Sequence, residues 1–194
     1  WRQYRYLTLD ADAEEEWRRV GGDMELVESA SAFRTKLLAM HQAVKADPDD
    51  ARFQLRLGLY YHALFQLVQQ SSDNPMTLSQ LQDAGINNGF ESQEEMHEWL
   101  HRAVGPNLEY ALAARRHFRR SIELNPLQVY GYLFLSELEF LRPVEADPSQ
   151  RLQWDDYVES TSSFSRACVA QSLTLRPYNG CLLYTSDAAD DLIG

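Results

Sequence analysis

The sequence predicts an all-α fold built from αα-hairpins, and three observations carry that prediction. Apolar residues recur at the i, i+3, i+4, i+7 spacing of one helix face along most of the chain. No strand-rich region interrupts them: the one stretch with strand-like alternation, Tyr4–Leu9, would have no partner strand. Helical stretches also end on proline three times, each after the same internal spacing.

Taken in order, residues 1–22 are a lead-in. Ala11–Arg19 reads as a short acidic helix, with Glu14–Glu16 favoured near its start by the helix dipole, and Gly21-Gly22 ends it. Asp23 caps a helix that continues, with a break near Ser29–Ser31, to Ala46. Asp47-Pro48-Asp49-Asp50 is a turn, and Asp49 or Asp50 caps the next helix, Ala51–Gln70, which carries Phe53, Leu57, Tyr60, Tyr61, Leu64 and Val68. A polar linker leads to a short helix, Thr77–Ala84, capped by Thr77 and ended at Gly85. Ser92-x2-Glu95 is a capping box that opens a helix to Val104, stopped by Gly105-Pro106. Asn107 caps the helix containing Phe118. Asn125-Pro126 ends that helix, since proline lacks an N–H donor and restricts the residue before it, and a second helix reaches Leu141. Arg142–Ser149 reads as a loop, Gln150–Tyr157 as a helical turn and Ser160–Leu175 as the last helix.

The residues around the prolines carry a repeat. Ala114-x3-Phe118-x2-Ser121-x4-Pro126 has the spacing of Lys36-x3-Met40-x2-Ala43-x4-Pro48 and of Ser165-x3-Val169-x2-Ser172-x4-Pro177. Leu57-Gly58-x2-Tyr61 follows the first proline, and Tyr132-x2-Leu135-Ser136 follows the second. This pattern resembles the tetratricopeptide repeats, whose signature is W-x2-L-G-x2-Y, then A-x3-F, then P. Small residues let paired helices approach, large ones fill the groove between them, and proline ends the unit. The resemblance covers about half the chain and implies a degenerate TPR-like α-solenoid. Lys36 and Ser165 depart from the small alanine, and the proline spacing implies helical insertions at 71–106 and 142–160. The domain division that follows is 1–22 lead-in, 23–180 repeat domain and 181–194 tail.

Composition bounds the function classes. Hydrophobic residues are 44% and aromatics 11%, which suits a packed core rather than a disordered chain. A net charge of −11 argues against nucleic acid, whose phosphates need a basic surface. No run of eighteen or more apolar residues predicts a membrane span. The two cysteines, Cys168 and Cys181, give neither a disulfide framework nor metal spacing, and Cys168 reads as a buried apolar residue.

One motif carries chemistry. His97-Glu98-Trp99-Leu100-His101 fits H-E-x-x-H, in which two histidines one helical turn apart bind zinc and the glutamate activates a metal-bound water. The longer metzincin signature does not follow: Val104 stands at its glycine and Asn107 at its third histidine. Only Glu109 and Glu123 remain as candidates for a third ligand. The plainer expectation is a surface helix with Met96, Trp99, Leu100 and Val104 inward and both histidines near solvent, where an adventitious zinc or nickel ion is preferred to the alternative of a zinc metallopeptidase acting through His97, Glu98 and His101. No cofactor is expected. A protein or peptide partner is, with Tyr61, Arg115, Arg119 and Tyr132 as its candidate binding surface. The run Arg115-Arg116-His117 with Arg119-Arg120 would meet an acidic partner, or else form a solvated face paired with nearby acids.

Two further resemblances bear on origin. Cys181–Asp191 resembles a translated transposon-based sequencing adapter, which implies that residues 181–194 are not native protein and that the rest is a fragment of a longer bacterial, environmental reading frame. Leu124–Leu138 is loosely similar to the repeat tails of bacterial O-antigen ligase-type membrane proteins, which would place a glycan-transfer activity outside this segment. The leading expectation is a non-catalytic interaction scaffold.

Overall fold

The structure is a computed structural model that describes residues 30–70, 72, 75–145 and 154–176. The expectations for Tyr4–Leu9, Ala11–Arg19, Pro177 and the tail 181–194 lie outside the described residues. Within them the chain is all-helical and contains no strand. The helices are α1 (Ala30–Ala46), α2 (Ala51–Gln70), α3 (Leu78–Asn87), α4 (Gln93–Val104), α5 (Leu108–Leu124), α6 (Val129–Leu138), α7 (Arg142–Glu145) and α8 (Trp154–Leu175). Two 3₁₀ turns, Gly105–Asn107 and Glu139–Leu141, join α4 to α5 and α6 to α7.

Five helices form a packed series, α1 on α2, α2 on α5, α5 on α6 and α6 on α8. The most extensive packing, α2 against α5, joins helices separated in sequence by α3 and α4. Leu55, Leu59 and Phe65 from α2 share one buried cluster with Leu108, Ala111, Ala114 and Phe118 from α5, and with Phe134, Leu135 and Leu138 from α6. Gly58 makes the α2–α5 approach possible, because a Cβ there would stand 2.7 Å from Cδ1 and Cε1 of the Phe118 ring. Hydroxyls join α6 to α8: Ser165 Oγ donates to the Ser136 carbonyl (3.0 Å), and Ser172 Oγ lies 3.2 Å from the Val129 carbonyl.

Helix α2 begins and ends at its predicted limits, and Asp50 caps it by accepting the Arg52 N–H at 2.8 Å. Other helix ends and caps differ from expectation. Gly85 does not end α3; the helix continues to Asn87, with Gly85 buried against Phe140 and Trp99. Ser92 accepts the Glu95 N–H as expected, but the Glu95 carboxylate returns to Glu91 N–H (2.9 Å), one residue before the cap. Asn107 makes no capping bond, since the 3₁₀ turn carries the chain from α4 into α5 and the Asn107 amide reaches Gln69 instead. The expected loop after Leu141 opens as the short helix α7, where Pro143 is tolerated because first-turn N–H groups have no helical partner. Helix α8 also starts earlier than Ser160. Tyr157 anchors its first turns by donating to the Phe140 carbonyl at 2.6 Å.

Candidate functional site

Helix α5 carries its apolar residues on one side, so Ala111, Ala114, Phe118 and Ser121 are buried while Arg116, Arg119 and Arg120 face solvent. That outer face forms one wall of an open groove of about 660 Å³. His97 of α4 lines it too, as do Arg142, Val144 and Glu145 of α7. Five arginines (115, 116, 119, 120 and 142) face three glutamates, Glu109, Glu123 and Glu145, around the groove. Its lining is therefore basic in a chain of net charge −11.

The arginines divide by burial. Arg115 is only 2% exposed, because it lies between Ala111 and Phe118 on the buried flank of α5. Its guanidinium donates to Glu139 (2.9 Å) and to Glu145, and Arg142 also approaches Glu139 at 3.7 Å. The buried Arg115–Glu139 pair thus ties α5 to the 3₁₀ turn after α6. Arg115 is therefore not part of an exposed binding surface as expected; its charge is spent holding the groove wall together. Arg119 is exposed, as expected, and pairs with Glu123 at 3.4 Å. Arg116 reaches Glu145 at 3.1 Å, and Arg120 reaches Asp49 at 2.6 Å. Exposed pairs of this kind contribute about 0.2–1 kcal/mol each, little enough for an anionic ligand to replace them.

Tyr61 stands elsewhere, half-buried at the junction of α1, α2 and α5. Its phenol lies 2.6 Å from His41 Nε2, and its ring stacks on His117 at 5.8 Å and Tyr110 at 6.4 Å. Burial raises the Tyr61 phenol pKa, with Arg116 opposing. His117 is pushed down to about 4, first by burial and then by His41 and Arg116. Its Nδ1 pairs with Gln54 Oε1 at 2.8 Å, and the Gln54 amide donates to the Pro48 carbonyl at 2.7 Å, which links α5 to the turn before α2. Tyr132 is half-buried on α6, its phenol pKa raised by burial and then by Cys168. Cys168 is buried as expected, and burial raises its thiol to about 12.

Helix α4 turns Met96, Leu100 and Val104 inward, with Trp99 half-buried. His97 is half-buried, His101 and Glu98 are exposed, and the two histidine Nε2 atoms lie 3.1 Å apart. No group of three or more His, Cys, Asp or Glu side chains that could hold a metal occurs among the described residues. Glu109 and Glu123 line the groove with His97 but do not complete a ligand set. The fold thus brings His97, Arg115 and Arg119 to one groove and leaves His101, Glu98, Tyr61 and Tyr132 off its lining. The sequence reading missed Arg142 and Glu145, which no local spacing connects to α5.

Comparison with known protein families, curated proteins and solved structures finds no match. No helix among the described residues is long and apolar enough to cross a membrane.

Proposed function

We propose that the chain is a non-catalytic protein- or peptide-interaction scaffold of the tetratricopeptide-like kind, and that the α4–α5–α7 groove receives an acidic segment of its partner. The observation that carries this reading is the groove itself. It concentrates arginine in an acidic chain, and its volume lies in the range of sites that enclose a ligand group. Arg116, Arg119 and Arg120 supply planar donors suited to carboxylates, and Arg115 and Arg142 fix the wall behind them. The repeat reading draws support from the small-on-large contact of Gly58 with Phe118 and from the bonding of Ser136 and Ser165, all positions of the repeated spacing.

Fluorescence anisotropy with a labelled glutamate-rich peptide and a lysine-rich counterpart tests the proposal. The acidic peptide should bind, the basic one should not, and added salt should weaken the complex. Combining Arg116→Glu with Arg119→Glu should abolish binding while leaving the buried Arg115 pair intact. Equal binding of both peptides, or an unchanged affinity in the reversed-charge variant, would overturn the assignment.

A further inference from the structure

We infer that His97 and His101 form a two-histidine site for a divalent copper or nickel ion, at the rim of the arginine-lined groove. The inference is independent of what the groove binds. The two side chains sit at i and i+4 of α4, on the same side of the helix. Their placement is fixed from both ends and from within: Ser92 caps the helix, Gly105 stops it at φ +59°, and Met96 and Leu100 are fully buried beneath it. A site on such an anchored helix is held more tightly than one on a loop.

The two Nε2 atoms lie 3.1 Å apart, within hydrogen-bond distance, and a shared ion would replace the proton between them. With metal–nitrogen bonds of about 2.0–2.1 Å, two nitrogens that far apart subtend about 95–102° at a shared ion. That range lies between the roughly 90° of neighbouring ligands on a square-planar or octahedral ion and the roughly 109° of tetrahedral zinc, so the choice of metal rests on the number and kind of ligands. No third His, Cys, Asp or Glu completes a set among the described residues, so water would take the remaining positions on a bound ion. Imidazole nitrogen plus water suits copper and nickel, which also bind such donors more tightly than most first-row ions. A structural zinc site would need four protein ligands, and a catalytic one three. The same two histidines that resemble a peptidase motif thus make an open chelate of a different kind. Because His97 also lines the groove, the ion would stand beside whatever the groove holds.

Isothermal titration calorimetry of the untagged chain with CuCl2, NiCl2 and ZnCl2, each alone, tests the inference. The expected result is one copper or nickel ion per chain, each bound more tightly than zinc. His97→Ala and His101→Ala should each weaken binding at least about tenfold, since altering even a residue behind a ligand costs that much. Both histidines lie off the core, so the variants should keep the wild-type helical circular dichroism. His41→Ala and Glu98→Gln should bind as the parent does. Absence of binding, tighter binding of zinc, or affinity unchanged by either histidine substitution would overturn the site.

Discussion

Gly58→Ala tests the register of α2 on α5 because two effects of opposite sign meet there. In a helix interior the change alone favours the helix by about 0.8–1 kcal/mol. The new methyl, however, would lie 2.7 Å from two carbons of the Phe118 ring, against the roughly 3.5–4.0 Å at which carbons pack. Phe118 has little room to retreat. It is fully buried, stacked on Phe134 at 5.3 Å between centroids, and met edge-on by His62 at 6.3 Å. Overpacking of this kind costs about 1–3 kcal/mol, which outweighs the propensity gain and leaves a net loss of about 1 kcal/mol. Urea denaturation of four proteins (parent, Gly58→Ala, Phe118→Leu and the double variant) separates the terms. With the ring gone, Gly58→Ala should become neutral or stabilising, and the coupling between the two sites should reach about 1 kcal/mol or more. If Gly58→Ala stabilises the parent as propensity alone requires, Gly58 does not face Phe118 and the α2–α5 register is wrong.

Three other outcomes follow from the same packing. Phe118→Ala should cost about 3–5 kcal/mol in a denaturant titration, since it empties the centre of the main cluster. Arg115→Ala should cost about 3–5 kcal/mol by leaving Glu139 buried without its closest cation, whereas Arg119→Ala should stay within about 0.5 kcal/mol, and equal effects would refute the division between buried and exposed arginines. His117 has a folded pKa near 4 and an unfolded value near 6.5, so the unfolded state binds the extra proton between them. Its contribution to stability is complete above about pH 6.5 and is lost as the pH falls towards 4. The loss is at most about 2–3 kcal/mol after allowing for partial solvent access, and His117→Phe should flatten the stability–pH curve over that interval.

Much of the fold was legible because helix periodicity and termination are local. Residues within α2 fix its face, and the Asp50 carboxylate acts two residues away, so both could be read directly. The errors arose where a neighbour distant in sequence decides the outcome. Gly85 looks like a helix end, but Phe140 and Trp99 pack over it and α3 continues. Asn107 looks like a cap, but its amide is engaged by Gln69 from α2. The stretch after Leu141 looks like a loop, yet Glu145 is held by Arg115 and Arg116 across the groove, and α7 forms.

The groove shows the same limit more sharply. Arg115 and Arg119 differ by one helical turn and read alike in a one-dimensional pattern of charge. Their roles are opposite because Arg115 lies on the flank where α5 meets the turn bearing Glu139, and a guanidinium withdrawn from water needs carboxylate partners close at hand. Once Glu139 and Glu145 have been committed to Arg115, Arg116, Arg119 and Arg120 retain only exposed pairings or a carboxylate shared with Arg115, which water and salt weaken. The buried pair therefore does more than hold the wall. By drawing two glutamates towards Arg115 it leaves the outer arginines weakly compensated, and under the proposed function an incoming carboxylate would need to displace only those exposed contacts.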